Sequence, residues 1–308
     1  MKRAYLNVVL LIIVVGLGAA IFFTQKKDHK GPPLTALKAD AVTHVSIAHP
    51  GKPTIELVKQ GKDWTLTAPV QSPADPFEVA SVVNLATQQT QRTLKDSDVK
   101  LSELKLDPPQ YTITLNDQKL EFGDTDPIDH RRYVKNGKTV SLIDDPPETA
   151  VDADYSNLVS KELLPTGTQL TKIEVPGFTV SLGADGKTWT QTPATDGVTT
   201  DEISHFVSSW EGARSMWNAA MPDGADADSK GQPITLTTKD GKTVQLVLVN
   251  EKPQLTIDRP DLKVRYSLSK ADDQSLLTIP PAPKKPDAKA PTAPPPTLAK
   301  PAEAPTKL

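Results

Sequence analysis

Hydrophobic and polar positions fall into three regimes along the chain. The first is an uncharged apolar run, Tyr5 to Phe23, set between Met1-Lys2-Arg3 and Gln25-Lys26-Lys27. Its nineteen residues, at about 1.5 Å per helical residue, span about 28 Å, close to the hydrocarbon thickness of a bilayer. The second regime, Leu34 to Ile279, alternates period-two stretches with two stretches of helical period. Ile113 and Leu115, then Leu120 and Phe122, put every second side chain on one face of a sheet, with Thr and Lys on the other. Glu78-Val79, Val82-Val83 and Ala86, and again Glu202-Ile203, Phe206-Val207 and Trp210, are spaced by three and four, as the buried stripe of an amphipathic helix requires. The third regime, Pro280 to Leu308, holds ten Pro among Ala and Lys and almost no large apolar side chain. No core can form from it, so a disordered Pro/Ala/Lys tail is expected.

The middle regime repeats itself. Thr54-Ile55-Glu56-Leu57 with Gly61-Lys62-Asp63-Trp64-Thr65-Leu66-Thr67 reappears as Thr179-Val180-Ser181-Leu182 with Gly186-Lys187-Thr188-Trp189-Thr190-Gln191-Thr192, the Trp positions 125 apart. Ile47 with Pro50-Gly51 precedes the first unit as Val175 with Pro176-Gly177 precedes the second. Strand-like pairs recur after the helices, ending in Arg132-Tyr133-Val134 to Leu142-Ile143 and Leu255-Thr256-Ile257 to Tyr266-Ser267-Leu268. Each copy reads as strand, strand, helix and about four more strands, with turns at Asn116-Asp117, Asn136-Gly137 and Asp240-Gly241. The expected fold class is α+β: an N-terminal transmembrane helix followed by two repeated domains, each a mainly antiparallel sheet with a covering helix. The expected division is a cytoplasmic stub 1–4, a transmembrane helix 5–23, a linker 24–33, domains 34–165 and 166–279, and the tail 280–308. Tyr155 to Pro165 reads as a short helix between the copies, ended by the proline.

A cleaved secretory signal is the rival reading of the apolar run, since Gly18-Ala19-Ala20 offers small residues to a peptidase. Ile21-Phe22-Phe23 carry the run past that point and favour an uncleaved anchor. A short amino end before a long soluble part favours its export, because long domains translocate largely regardless of charge. Gly16 and Ala20 are spaced for close approach of a second helix. The formal net charge of −3 supplies no basic field for nucleic acid. The absence of Cys removes disulfides, thiolate metal sites and thiol catalysis.

Motifs of catalysis are sparse. The five His form no His-Glu-x-x-His pair, and Asp223, Asp226 and Asp228 with Gly224 miss the order of a calcium loop. No phosphate loop or Gly-x-Ser-x-Gly elbow occurs. No metal or other cofactor is expected. The densest polar cluster is Gly123-Asp124-Thr125-Asp126-Pro127 leading to His130-Arg131-Arg132-Tyr133. Asp124, Asp126, His130, Arg131 and Arg132 are therefore the candidate ligand-binding residues, with paired Arg groups suited to a carboxylate or phosphate. The same residues also read as a tight turn into a strand, with Arg131 or Arg132 paired to Asp124 or Asp126. Trp64 and Trp189, repeated after a Gly-Lys turn, read as core packing, and Trp210 and Trp217, seven apart, as one face of the second helix.

The anchor, Pro33-Leu34-Thr35-Ala36-Leu37, the segment Gly61 to Pro69, Leu106-Asp107-Pro108-Pro109 and the segment Gly123 to Tyr133 together resemble the bacterial domain-of-unknown-function family 4340. The resemblance implies an envelope protein of undefined activity, found with auxiliary components of gliding-type ABC transporters, and carries over no catalytic residue. The expected role is a non-enzymatic accessory or scaffold in the periplasm, held in the inner membrane by Tyr5 to Phe23 and working with a membrane-protein partner. A binding module for cell-wall glycan or lipid-linked saccharide is the alternative, and a hydrolase the third reading.

Overall fold

The computed structural model describes residues 13–17, 31–146, 154–222 and 231–282. Most of the expected membrane span lies outside these residues, as do the tail from 283 onward and the Asp223 to Asp228 segment. Residues 13–17 are helical, with Ile13, Val14, Val15 and Leu17 more than half exposed. Among the described residues no helix is long and apolar enough to cross a membrane.

Two antiparallel sheets make up the bulk of the structure, with few helices. The first contains β1 (His44–Ala48), β2 (Ile55–Gln60), β3 (Asp63–Ala68), β4 (Ser72–Pro73), β5 (Thr90–Lys95), β6 (Tyr111–Leu115), β7 (Gln118–Thr125), β8 (Arg131–Asn136) and β9 (Thr139–Asp144). Their spatial order is β4-β3-β2-β1-β6-β7-β8-β9-β5. The second contains β10 (Leu170–Val175), β11 (Phe178–Leu182), β12 (Trp189–Thr192), β13 (Trp217–Ala220), β14 (Gln232–Thr238), β15 (Thr243–Asn250), β16 (Thr256–Arg259) and β17 (Val264–Ser267). Its order, β12-β11-β10-β14-β15-β16-β17-β13, is the first order without β4. The sequence repeat is thus also a repeat of topology.

In both sheets the helix carries the chain from one edge to the other. Helix α1 (Pro76–Val83) connects the β3–β4 edge to β5, and α3 (Thr200–Glu211) connects β12 to β13. Pro76 suits the first turn of α1 because it lacks only an amide that has no helical partner there. The buried Asp75 carboxylate accepts the amides of Phe77 at 2.9 Å and Glu78 at 3.3 Å. In α3 the Glu202 carboxylate reaches back to the Thr199 amide at 3.1 Å, the reciprocal half of a capping box. The predicted stripes are the buried ones: Val79, Val82, Val83 and Ala86 in one copy, Ile203, Phe206, Val207 and Trp210 in the other. Each large side chain so removed from water contributes about 1.5–3 kcal/mol before entropy is counted.

Three expectations are corrected. Three long strands precede each helix and five follow it, rather than two and four. The missed strands β5 and β13 are edge strands, and Thr-Gln-Arg-Thr-Leu-Lys in β5 has no clean alternation because much of it faces water. Trp217 is not on the second helix, which ends at Glu211 against Gly212; it lies on β13 and is 44% exposed. The segment after Asp154 is helical for one turn only, α2 (Tyr155–Leu158), and then runs extended.

That extended segment ties the two sheets together. Val159 bridges Ala74, and the Ser160 amide donates to Pro73 O at 2.9 Å on the first-sheet side. On the other side the Asn218 amide group donates to Val159 O at 3.0 Å, and Ser215 donates to Asn218 Oδ1 at 2.6 Å. Tyr155 donates its hydroxyl to Lys263 O at 2.9 Å. Leu158, Val159, Leu163 and Leu164 are all buried in a core cluster that also holds residues of both sheets. A final helix, α4 (Asp272–Leu277), packs beside α3, where the buried Trp210 indole donates to Leu276 O at 3.0 Å.

Candidate functional site

The five candidate residues sit where β7 turns into β8. The β7–β8 register shifts between Phe122 and Thr125, so Gly123 and Asp124 form a bulge. The strand passes very close to the preceding loop there: a Cβ on Gly123 would meet Leu104 O at 2.2 Å and Leu106 Cγ at 2.9 Å. Only glycine fits. The bulge lets the Asp124 amide donate to Leu104 O at 2.8 Å. It also presents the Asp124 carboxylate to Lys105 Nζ at 2.7 Å. The Lys105 hydrogen bond is the main reason that the Asp124 carboxyl is held below its usual range.

Beyond the bulge the chain closes a tight turn. The Asp126 amide donates to Arg131 O at 2.7 Å, the His130 amide to Asp126 O at 3.0 Å, and the Asp129 amide to Asp126 Oδ2 at 2.8 Å. His130 adopts φ +54, a left-handed conformation that completes the reversal, and its side chain is exposed. The Asp126 carboxylate thus organises backbone. Ile128 rides at the tip, 82% exposed.

The two arginines have different surroundings. Arg131 makes long ion pairs, 3.6 Å to Asp129 and 3.8 Å to Asp144, both carboxylates well exposed. Arg132 is 17% exposed at its side chain and forms a fork on Asp145, Nε to Oδ1 at 2.7 Å and a terminal nitrogen to Oδ2 at 3.1 Å. Its other terminal nitrogen donates to Gln110 Oε1 at 3.1 Å and Gly123 O at 3.0 Å. The guanidinium lies 5.9 Å from the Tyr111 ring centroid. Burial disfavours its charge, but the hydrogen bond and charge of Asp145 outweigh this and its pKa is raised. Four of its five donors are committed, so little of the fork remains to receive an incoming anion.

Structure and sequence agree that this is a turn into a strand, but the partners differ from those expected. Asp124 pairs with Lys105, and Arg132 pairs with Asp145. Neither arginine pairs with Asp124 or Asp126 through its nearest charged contact, because the β8–β9 register sets Arg131 opposite Asp144 and leaves Asp145 in reach of Arg132. The second sheet has its own arginine fork, which sequence reasoning missed. Arg265 on β17 faces Asp258 on β16 and binds it through Nε at 2.7 Å and a terminal nitrogen at 2.8 Å, with Asp258 fully buried. Opposite charges flanking a short turn, Asp258-Arg259-Pro260 to Arg265, were the available signal.

Trp64 and Trp189 are half-buried and pack against the core rather than forming its centre. His44 contacts Glu56 Oε2 at 2.9 Å, and the His49 ring lies 5.4 Å from that of Tyr111. Among the described residues no group of three or more His, Asp or Glu is placed to hold a metal ion. Open grooves also line the described residues, two of them as follows. One, of about 560 Å³, runs between Leu164-Pro165 and the β14–β15 turn, where Lys242 pairs with Asp240 at 2.7 Å and Arg259 donates to Leu163 O at 2.7 Å. The other, of about 460 Å³, lies between α3 and α4.

No curated protein and no solved structure matches the chain significantly. A protein family does, over residues 64–259, from Trp64 on β3 to Arg259 at the end of β16, and so takes in the Gly123 bulge, the Arg132 fork and most of both sheets. On that match the chain belongs to the family described as Domain of unknown function (DUF4340).

Proposed function

We propose that the protein is a non-enzymatic accessory or scaffold of the cell envelope, anchored in the inner membrane by Tyr5 to Phe23 with its two sheets in the periplasm, and auxiliary to an ABC-type transporter or another envelope complex. The observation that carries the reading is the state of the densest polar cluster. Asp124, Asp126, Arg131 and Arg132 are each engaged with other parts of the same chain, so their chemistry is used to fix a hairpin. Two further features support it. Gly31, eight residues after the apolar run, already donates its amide to Thr90 O at 2.7 Å, which keeps the first sheet close to an anchor. The strap from Tyr155 to Leu164 holds the two sheets to each other, as suits a part that presents surfaces.

The test is affinity capture of the detergent-solubilised full-length protein, with mass spectrometry of what co-purifies, beside a chain lacking residues 1–30. Recovery of membrane-transport subunits only with the anchor present supports the reading. Recovery of the protein alone, carrying glycan or lipid, moves it to the saccharide-binding alternative. Trp217 is the observation that favours that alternative, being an exposed indole on an edge strand. Trp217→Ala should then abolish retention of cell-wall fragments and leave thermal stability unchanged.

A further inference from the structure

The two sheets share a strand order, so each is a control on the other. Asn136 ends β8 and donates its side-chain amide to Leu34 O at 3.1 Å. Arg259 ends β16, the counterpart of β8, and donates to Leu163 O at 2.7 Å. Leu34 and Leu163 are themselves equivalent, since their amides donate to Gln88 O at 2.8 Å and Ala213 O at 3.0 Å, just beyond the covering helices. A neutral asparagine therefore suffices for this bond, and the charge and length of Arg259 exceed what the fold asks of the position. The neighbouring corner differs in the same direction. In the first sheet a two-residue turn, Asn116-Asp117, joins β6 to β7, and Asn116 stitches it to the chain ahead of β1, accepting the Thr43 amide at 2.9 Å and donating to Ala41 O at 2.9 Å. In the second sheet five residues, Thr238 to Lys242, join β14 to β15. The longer turn brings Lys239 and Lys242 to the groove of about 560 Å³ that Arg259 also lines.

The charges of this groove do not cancel. Lys242 is held by Asp240 at 2.7 Å, and Arg259 by Asp261 at 3.2 Å. Lys239 has the Gln169 side-chain oxygen at 2.9 Å and, among the described residues, no carboxylate in ion-pair range. One positive charge is thus left over beside apolar walls at Leu164, Pro165 and Val244. The volume falls within the range of about 300–1,000 Å³ usual for small-molecule sites. We propose that the groove binds an acyl carboxylate, a small amphipathic monoanion whose head group meets Lys239 and Arg259 and whose chain lies along Pro165 and Val244. One surplus positive charge matches one carboxylate, whereas a phosphate monoester, with about two negative charges, leaves one unmatched. Apolar contact along the chain and a charge-assisted bond at the head act together, so neither a chainless anion nor an uncharged chain binds comparably. The site goes beyond the scaffold role and stands or falls apart from it. It gives the second sheet a ligand at the end of the strap, because Arg259 also holds Leu163 O.

The test is photolabelling of the full-length protein in lipid nanodiscs with a medium-chain carboxylate that carries a diazirine at its chain end, the labelled peptides being mapped by mass spectrometry. Labelling is expected on the segments around Pro165 and Val244. Octanoate should compete for it, and octanol, octyltrimethylammonium and acetate at the same concentration should not. Arg259→Asn keeps a donor for Leu163 O of the kind that Asn136 provides in the first sheet, and combined with Lys239→Gln it should cut labelling by about tenfold or more while far-UV circular dichroism is unchanged. Lys239→Glu alone, on an exposed side chain that the fold does not use, should cut it by about fivefold and decides the matter if the double variant fails to fold. Equal labelling by the alcohol analogue of the probe, competition by acetate as strong as by octanoate, labelling spread outside the groove, or labelling indifferent to Lys239→Glu each overturns the proposal.

Discussion

Replacing Arg132 by Ala removes the fork on Asp145, the donors to Gln110 and Gly123 O, and the stem packed beside Tyr111. A hydrogen bond to a charged group is worth about 1.5–3 kcal/mol when buried and less when its partner can rehydrate. Asp145 is 33% exposed and regains water, so the pair itself counts for the lower part of that range. Lost contact with the Tyr111 ring adds about 0.5–1 kcal/mol. The expected cost of Arg132→Ala is therefore about 2–3 kcal/mol. Arg131→Ala breaks only long, exposed contacts with Asp129 and Asp144 and should cost no more than about 0.5 kcal/mol. Arg132→Lys keeps the charge but cannot reproduce a planar fork, and should recover less than half the loss. Urea unfolding of a chain beginning at residue 31, followed by Trp fluorescence, measures all three; in heat, Arg132→Ala should lower the midpoint by roughly 5–10 °C. Equal losses for the two arginines, or no loss at Arg132 with impaired recovery of a partner in the capture experiment, would refute the structural assignment and return the pair to the ligand-binding reading.

Gly123→Ala forces a methyl against Leu104 O and Leu106, and should destabilise by about 2 kcal/mol or more by the same unfolding assay. Asn218→Ala takes from Val159 O the Asn218 amide donor and leaves the Ser215 hydroxyl only Lys161 O at 3.2 Å, should cost about 2–3 kcal/mol, and should split the unfolding transition in calorimetry if the strap is what couples the sheets. Burial pushes the Tyr266 hydroxyl up to about 12. Because the folded value is raised, the stability it supports is complete below about pH 10, the ordinary tyrosine value, and is lost as pH rises toward the folded value. Tyr266→Phe should remove that part of the alkaline unfolding, with ultraviolet titration as the check. Asp185 is held at about 2 first by its hydrogen bond from the Thr188 hydroxyl and then by the Thr188 and Lys187 amides. Its contribution is present above the ordinary carboxylate range and is lost as pH falls through the folded value. A carbon-13 titration should show its midpoint near that value and Thr188→Val should raise it.

Much of this architecture is written locally. Period-two burial marks β6 and β7, the three-four spacing marks α1 and α3, and Asn116, Gly61 and Gly137 mark hairpins whose positive φ values follow from their side chains or lack of one. These signals survive in isolation because backbone preference and one-sided burial act within a few residues. They also exposed the repeat, which the two matching strand orders express in three dimensions. The candidate turn from Asp126 to Arg131 was legible for the same reason.

What the tertiary structure alone decided are features set by pairing across long stretches of chain. Strands β5 and β13 have little apolar alternation, since each lies at a sheet edge, and they are strands only because β9 and β17 are there to pair with them. A spacing of seven from Trp210 puts Trp217 on the helix face and cannot reveal that Gly212 has ended the helix. Asp145 as the partner of Arg132, Lys105 as that of Asp124 and Arg265 as that of the buried Asp258 depend on strand register, and a charge in the sequence does not state its register. Nor could the sequence announce that Val159 and Asn218 would meet. Proximity in a folded core is a property of all the strands packed at once.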